Sequence, residues 1–160
     1  MRLSKSVIGP LEMSAVQKVL EKGYLGMGTE VQLFERELTA YLGGTTQVTC
    51  VNTGTAALQL AVEAIGLNPG DEVLIPSLTF VASFQAVSAA GAVPVACDVK
   101  LNDGLIDLAD AEERITARTR AIMPVHYAGN WGDLEAVYRF ARKHNLRVVE
   151  DAAHAFGCEW

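Results

Sequence analysis

Cysteine is scarce and poorly spaced for any structural purpose. The 160 residues hold only Cys50, Cys97 and Cys158, an odd number with no C-x-x-C pair. A disulfide framework and a cysteine zinc site are thereby excluded, and a reducing cytoplasm becomes the expected location. Positive charge is also short. Thirteen Lys and Arg face nineteen Asp and Glu, a formal net charge of −6, and no basic run occurs, so a nucleic-acid backbone is not an expected partner. No apolar h-region follows Met1-Arg2-Leu3-Ser4-Lys5, so no secretory signal is read there. The uncharged stretch from Val73 to Cys97 is broken by Pro76, Ser77, Gln85, Gly91 and Pro94. It reads as strand, helix and strand, not as a membrane span. Fixed-period repeats and low-complexity segments are missing as well. What is present is globular: half the residues are hydrophobic and about a fifth are charged, which excludes a disordered chain or a collagen-like fibre. The length suits one domain, or one lobe of something larger.

Periodicity predicts a helix over Leu11 to Lys22, with Met13, Val16 and Leu20 on one face and Gly23 as its stop. A second runs from Glu30 to Leu42 with Val31, Phe34, Leu38 and Tyr41 at helical spacing, and a glycine-rich loop, Gly23 to Gly28, joins the two. Regular alternation follows. Val48 to Val51 is β-type, then a helix runs to Ile65 with Gly66 beyond its end. Strands are expected over Glu72–Ile75, Val93–Val99, Ala121–Val125 and Arg147–Glu150. Helices are expected over Thr79–Ala90, around Ala111–Ile115, and from the Asp133 cap to His144 with Leu134, Val137, Tyr138 and Ala141 inward. The fold class is α/β: a mainly parallel sheet with helices on both faces. Ligands bind such sheets beyond the carboxyl ends of the strands, which marks four places to inspect: after Val51, Ile75, Val125 and Glu150.

After Val51 comes Asn52-Thr53-Gly54-Thr55-Ala56-Ala57, a strand-to-helix turn of small residues whose free N–H groups and hydroxyls suit a phosphate. A tight turn with a threonine cap is the alternative. Neither the G-x-G-x-x-G nor the G-x-x-x-x-G-K-[ST] spacing is present, so dinucleotide and ATP-type readings lack their signature. After Ile75, Phe80 at a helix start can stack on a flat ring, or be a core residue. After Val125, His126 is read first as a hydrogen-bonded structural histidine. At the fourth place, Glu150 and Asp151 point to opposite faces and do not form an acid/base pair. An acidic residue on a buried strand end needs a cationic partner, and a protonated ring nitrogen would serve. Cys158 four residues after His154 is not read as a thiol nucleophile, since nothing else marks such a site. A phosphate turn, an aromatic platform and a strand-end Asp together match the needs of pyridoxal phosphate.

The text of the chain also resembles the DegT/DnrJ/EryC1/StrS sugar aminotransferases, which are fold-type-I pyridoxal-phosphate enzymes. The resemblance runs in order through Gly23-Tyr24-Leu25-Gly26 with Val31 to Leu42, and Val51-Asn52-Thr53-Gly54-Thr55-Ala56-Ala57-Leu58. It continues through Gly70-Asp71-Glu72-Val73, Pro76 to Phe80, Pro124 to Gly129 and Glu150-Asp151-Ala152-Ala153-His154-Ala155. It implies that Thr53, Gly54 and Thr55 hold the cofactor phosphate and that Phe80 stacks on the pyridine ring. Asp151 would pair with the ring nitrogen and His154 would lie near the ring hydroxyl, these two being the catalytic candidates. Tyr24, Leu25 and Gly26 resemble a segment lining the sugar-nucleotide site. No metal ligands are implied.

The family's Schiff-base lysine lies a few tens of residues beyond the E-D-A-A-H motif, and none of Lys5, Lys18, Lys22, Lys100 and Lys143 stands in that context. The chain therefore reads as an N-terminal portion. Residues 1–45 are expected to be a helical segment and 46–160 an incomplete fold-type-I aminotransferase large domain, without the small C-terminal domain. The family's sheet has seven strands, with the sixth and seventh between the first and the fifth. A strand at Val48–Val51 would thus stand apart by three spacings, on the order of 14 Å.

The expected function is amination of a nucleotide-linked keto-sugar, for polysaccharide, lipopolysaccharide or antibiotic synthesis. Glutamate is the expected donor, and the full-length protein is expected to be a homodimer with no membrane partner. The chain by itself is expected to be inactive. The alternative is a truncated paralogue that binds cofactor or a partner chain without turnover. A cysteine desulfurase or decarboxylase branch fits the E-D-A-A-H context poorly.

Overall fold

The structure is a computed structural model and describes residues 6–158. The chain divides into two compact units, Met1–Cys50 and Val51–Trp160.

The first unit is two helices, α1 (Pro10–Lys22) and α2 (Thr29–Tyr41). Pro10 opens α1 where its missing N–H costs nothing, and Glu12 Oε2 accepts from the Gly9 N–H at 2.7 Å. Gly23, at φ 67°, closes α1 in the left-handed conformation that only glycine adopts without strain. Neither helix buries a residue: Met13, Val16 and Leu20 share a face that remains exposed. Between the helices the Tyr24 ring lies over Gly28, where a Cβ would come within 2.9 Å of it.

The second unit is built on a four-stranded parallel sheet in the order β2-β1-β3-β4. The strands are β1 (Glu72–Pro76), β2 (Val93–Cys97), β3 (Thr119–Ile122) and β4 (Arg147–Val148). The helices are α3 (Gly54–Ala64), α4 (Val81–Ala89), α5 (Leu108–Glu113) and α6 (Leu134–Lys143). Every residue of β1 is buried, because it is paired on both sides and covered on both faces. Leu74 and Ile122 face a core with Phe140, Val137 and Ala141 of α6. Val73, Ile75 and Met123 face the other, with Val62 of α3 and Val87 of α4. Asp107 and Asp133 cap α5 and α6 through Ala109 N and Ala136 N. Among the described residues, no helix is long and apolar enough to cross a membrane.

Three expectations need correction. Val48–Val51 forms no strand: it pairs with none of the described strands, and the Cys50 N–H donates instead to Glu35 Oε1 at 2.7 Å. The strands expected to reach Val125 and Glu150 stop at Ile122 and Val148, although the pairing resumes in a bridge between Val125 and Asp151. Tyr138 does not join the α6 core. Phe140 takes that place, and the Tyr138 hydroxyl instead donates to Glu150.

Candidate active site

The segments that follow β1, β3 and β4 meet the start of α3 at one cavity of about 390 Å³. Gly54 and Thr55, Thr79 and Phe80, Val125 and His126, and Glu150 to His154 all line it. The four places marked by the strand-end rule therefore converge.

Thr53 is the N-cap of α3, and its Oγ1 accepts from Ala56 N at 3.0 Å. The capping alternative thus describes Thr53, which stands just outside the cavity wall. Ala57 N is taken by the Thr53 carbonyl, which leaves the Gly54 and Thr55 N–H groups as the open donors of the first turn. A Cβ built on Gly54 would meet nothing within 4 Å. No protein packing therefore demands glycine there; the space in front of it is open.

Phe80 caps α4 with extended backbone, φ −72° and ψ 144°. Its ring is 73% exposed, so the core alternative for Phe80 fails. Asp151 is only 6% exposed. Its backbone is held by Asp151 N to Pro124 O at 2.9 Å and His126 N to Asp151 O at 3.0 Å. Its Oδ2 accepts from Ser83 Oγ at 2.8 Å, and Oδ1 accepts from Ala153 N at 3.3 Å. Among the described residues no cation pairs with this buried carboxylate. His154 is exposed, edge-on to Tyr127 at 6.3 Å between ring centroids. Its Nδ1 accepts from Ala128 N at 3.4 Å, which assigns the ring hydrogen of the neutral form to Nε2. Ala128 reaches that position in a left-handed conformation, φ 54°.

Glu150 also borders the cavity, but its carboxylate takes partners different from those of Asp151: His126 and Tyr138 of α6 rather than Ser83 of α4. His126, 4% exposed, places Nε2 at 2.7 Å from Glu150 Oε2, and Tyr138 donates to Oε1 at 2.5 Å. The His126 bond holds the Glu150 carboxyl below its ordinary range against the opposing effect of burial, and Tyr138 assists. Burial, followed by the bond to Glu150, pushes the Tyr138 phenol up to about 12. His126 is thus a satisfied structural histidine. Sequence reasoning missed this His126–Glu150–Tyr138 link and also Ser83.

No described lysine lines the cavity. Lys22 pairs with Glu30, Lys100 with Asp103 at 2.9 Å and Lys143 with Glu112 at 2.7 Å, while Lys18 lies on α1. Lys5 falls outside the described residues. Tyr24, Leu25 and Gly26 belong to the first unit, where they line a hollow with Val19, Thr29 and Val31.

Comparison with known proteins agrees with this arrangement. Residues 7–160 match the DegT/DnrJ/EryC1/StrS aminotransferase family. The dTDP-3-amino-3,4,6-trideoxy-alpha-D-glucose transaminase of Streptomyces venezuelae is 43% identical over 147 residues, 92% of this chain and 38% of that protein. The spore coat polysaccharide biosynthesis protein SpsC of Bacillus subtilis is 43% identical over 152 residues, 95% of this chain and 39% of that protein. Among solved structures, Helicobacter pylori PseC, an aminotransferase involved in the biosynthesis of pseudoaminic acid, has a TM-score of 0.91 at 32% identity. That match covers 99% of this chain and 43% of PseC. NtdA of Bacillus subtilis, solved with bound cofactor PMP, has a TM-score of 0.85 at 36% identity, over 91% of this chain and 33% of that one. The chain spans about two-fifths of the length of the curated relatives it matches. Its sheet, its strand-end cavity and its sequence place it in one group: the chain belongs to the DegT/DnrJ/EryC1/StrS aminotransferases, a family that works with pyridoxal phosphate.

Proposed function

We propose that this chain is the cofactor-binding portion of a pyridoxal-phosphate aminotransferase that aminates a nucleotide-linked keto-sugar in amino-sugar biosynthesis. In this reading residues 46–160 belong to the large domain, and 1–45 are the helical segment that precedes it. The observation that carries the reading is the buried Asp151 carboxylate, which faces a cavity lined by no lysine or arginine among the described residues. Leaving such a charge uncompensated is costly, so the site calls for a positively charged ligand atom.

The residues present fit the cofactor. The open Gly54 and Thr55 N–H groups, at the positive end of α3, would bind its phosphate, and Thr55, which lines the cavity, brings a hydroxyl to the same turn. Phe80 offers its exposed face to the ring. Asp151 would hold a proton on the ring nitrogen, and His154, with its ring hydrogen on Nε2, would donate to the ring oxygen. When bound, pyridoxal phosphate supplies an electron sink for a carbanion at the adjacent carbon. The side chains around it orient it and keep its nitrogen charged. Thr53 keeps the phosphate turn closed.

Tyr24, Leu25 and Gly26 are read as sugar-nucleotide contacts, glutamate as the amino donor and the assembly as a homodimer. Free cysteines throughout the described residues fit a cytoplasmic location. Transamination also needs an amine to move a proton between two carbons. No described lysine lines the cavity, so we read the chain by itself as inactive. The same observation favours a second reading, a paralogue that binds cofactor or a partner chain without turnover.

Equilibrium dialysis against pyridoxamine phosphate tests the site without requiring a lysine. One saturable site, weakened by Asp151→Ala, is expected. No binding, or equal binding by the variant, would remove the assignment. Turnover of a nucleotide-linked keto-sugar with glutamate by the lysine-bearing protein separates the two readings.

A further inference from the structure

Ser83 is fully buried, yet nothing in the reading above uses it. It lies in the first turn of α4, the turn that begins with Phe80, and its N–H donates to Phe80 O at 3.2 Å. Its Oγ lies 2.8 Å from Asp151 Oδ2, 2.6 Å from Thr79 Oγ1 and 3.3 Å from Phe80 O. A serine has one hydroxyl hydrogen. An ionised carboxylate is the strongest of the three acceptors and can only accept, so the hydrogen goes to Asp151. Thr79 must then be the donor in its contact with Ser83. The result is a directed chain: Thr79 O–H to Ser83 Oγ, and Ser83 O–H to Asp151 Oδ2. Each bond polarises the next in a buried setting. Oδ1 has only the long contact from Ala153 N, at 3.3 Å, and so retains acceptor capacity.

We propose that Ser83 is a positioning residue for the transamination: with Thr79 behind it, its hydroxyl fixes the Asp151 carboxylate through Oδ2 and leaves Oδ1 to accept from the cofactor's ring nitrogen, so that the shared proton stays on that nitrogen. The proposal rests on the reading of Asp151 above. Without Ser83 the carboxylate is no longer held at Oδ2, its bond to the ring nitrogen loosens, and the nitrogen gives up its proton more readily. A hydrogen bond to a charged group is enough to change the ratio of the two protonation states by roughly tenfold. The arrangement also places the ring platform and the Asp151 support on one helical turn.

The test is the nitrogen-15 resonance of pyridoxamine phosphate labelled at the ring nitrogen and bound to the protein. In the unaltered protein the resonance should stand at the protonated position, and in Asp151→Asn at the unprotonated one. Ser83→Ala should move it toward the unprotonated position, Ser83→Thr should restore it, and Thr79→Val should move it a smaller distance the same way. Thermal melting of the cofactor-free variants identifies any that fail to fold. Thr79→Val leaves both Ser83 and Asp151 in place, so it carries the test if Ser83→Ala is lost. A resonance unmoved in Ser83→Ala, or in Thr79→Val when only that variant folds, overturns the proposal if Asp151→Asn has moved it. An unprotonated resonance in the unaltered protein overturns the Asp151 reading and this one with it.

Discussion

Truncating Phe80 separates packing from binding more cleanly than any other change at this site. A phenylalanine in a core typically costs about 3–5 kcal/mol when cut to alanine. Phe80 is 73% exposed, so only about a quarter of it is covered by protein. Scaling the full burial of such a side chain, about 1.5–3 kcal/mol, by that coverage leaves well under about 1 kcal/mol. Phe80→Ala should therefore melt within a few degrees of the unaltered protein. Loss of a ring-on-ring contact should weaken pyridoxamine phosphate by about 1 kcal/mol, roughly fivefold in Kd. Phe80→Tyr and Phe80→Trp should keep the affinity, because stacking depends on shape and polarisability. Equilibrium dialysis and thermal melting of all four versions supply both numbers. Equal affinities across the four would remove the ring from the binding site, and a core-sized drop in stability would contradict its exposure.

Four further outcomes follow from the same geometry. In the lysine-bearing protein, Asp151→Ala should cost several kcal/mol of transition-state stabilisation, and Asp151→Asn nearly as much, since an amide supplies no counter-charge; a near-normal kcat in either refutes the role. Thr53→Ala removes the acceptor of the Ala56 N–H and should lower stability by about 1 kcal/mol in chemical denaturation, whereas an unchanged midpoint would mean that the cap contributes nothing. The Tyr138 phenol is raised to about 12, so its share of stability is whole below the ordinary tyrosine range, near pH 10, and is lost as pH climbs through about 12. Alkaline unfolding followed by circular dichroism should therefore show a component between those limits that Tyr138→Phe lacks. Borohydride reduction of the 160-residue chain with pyridoxal phosphate should label its lysines only in scattered, substoichiometric fashion by peptide mass. Stoichiometric label on one lysine, with turnover of amino donor, would mean that the chain is active alone.

Helix positions were legible because their end signals are local. Asp133, Gly23 and Gly66 each stop or start a helix through a single residue's chemistry, and α6, α1 and α3 obey them. The strand ends were less so. Val125 and Glu150 continue an apolar or β-type run, but whether a residue joins a ladder depends on a neighbour far along the chain. Val48–Val51 fails for the same reason: pattern proposes a strand, and only a partner can complete it. The site residues after β1, β3 and β4 are legible by rule, since a parallel sheet directs its carboxyl ends to one side, and the turn after Val51 joins them as the start of α3. Ser83 is not, because a serine inside the apolar run Val81-Ala82-Ser83-Phe84 looks like a neutral helix residue. Its meaning comes from Asp151, sixty-eight positions away. Spacing puts Tyr138 in the core, because spacing cannot see that Glu150 accepts from its hydroxyl.

The open donors at the start of α3 stand in sharp contrast to the amides of β1, and solvent deuterium can read the contrast. The β1 amides bond into ladders beneath two covered faces, so they take up deuterium only when the unit opens as a whole. The Gly54 and Thr55 amides have no such protection and exchange almost as a peptide would. A phosphate seated there would slow these two amides and leave β1 unaffected. Occupancy of the site thus has its own clock, independent of catalysis.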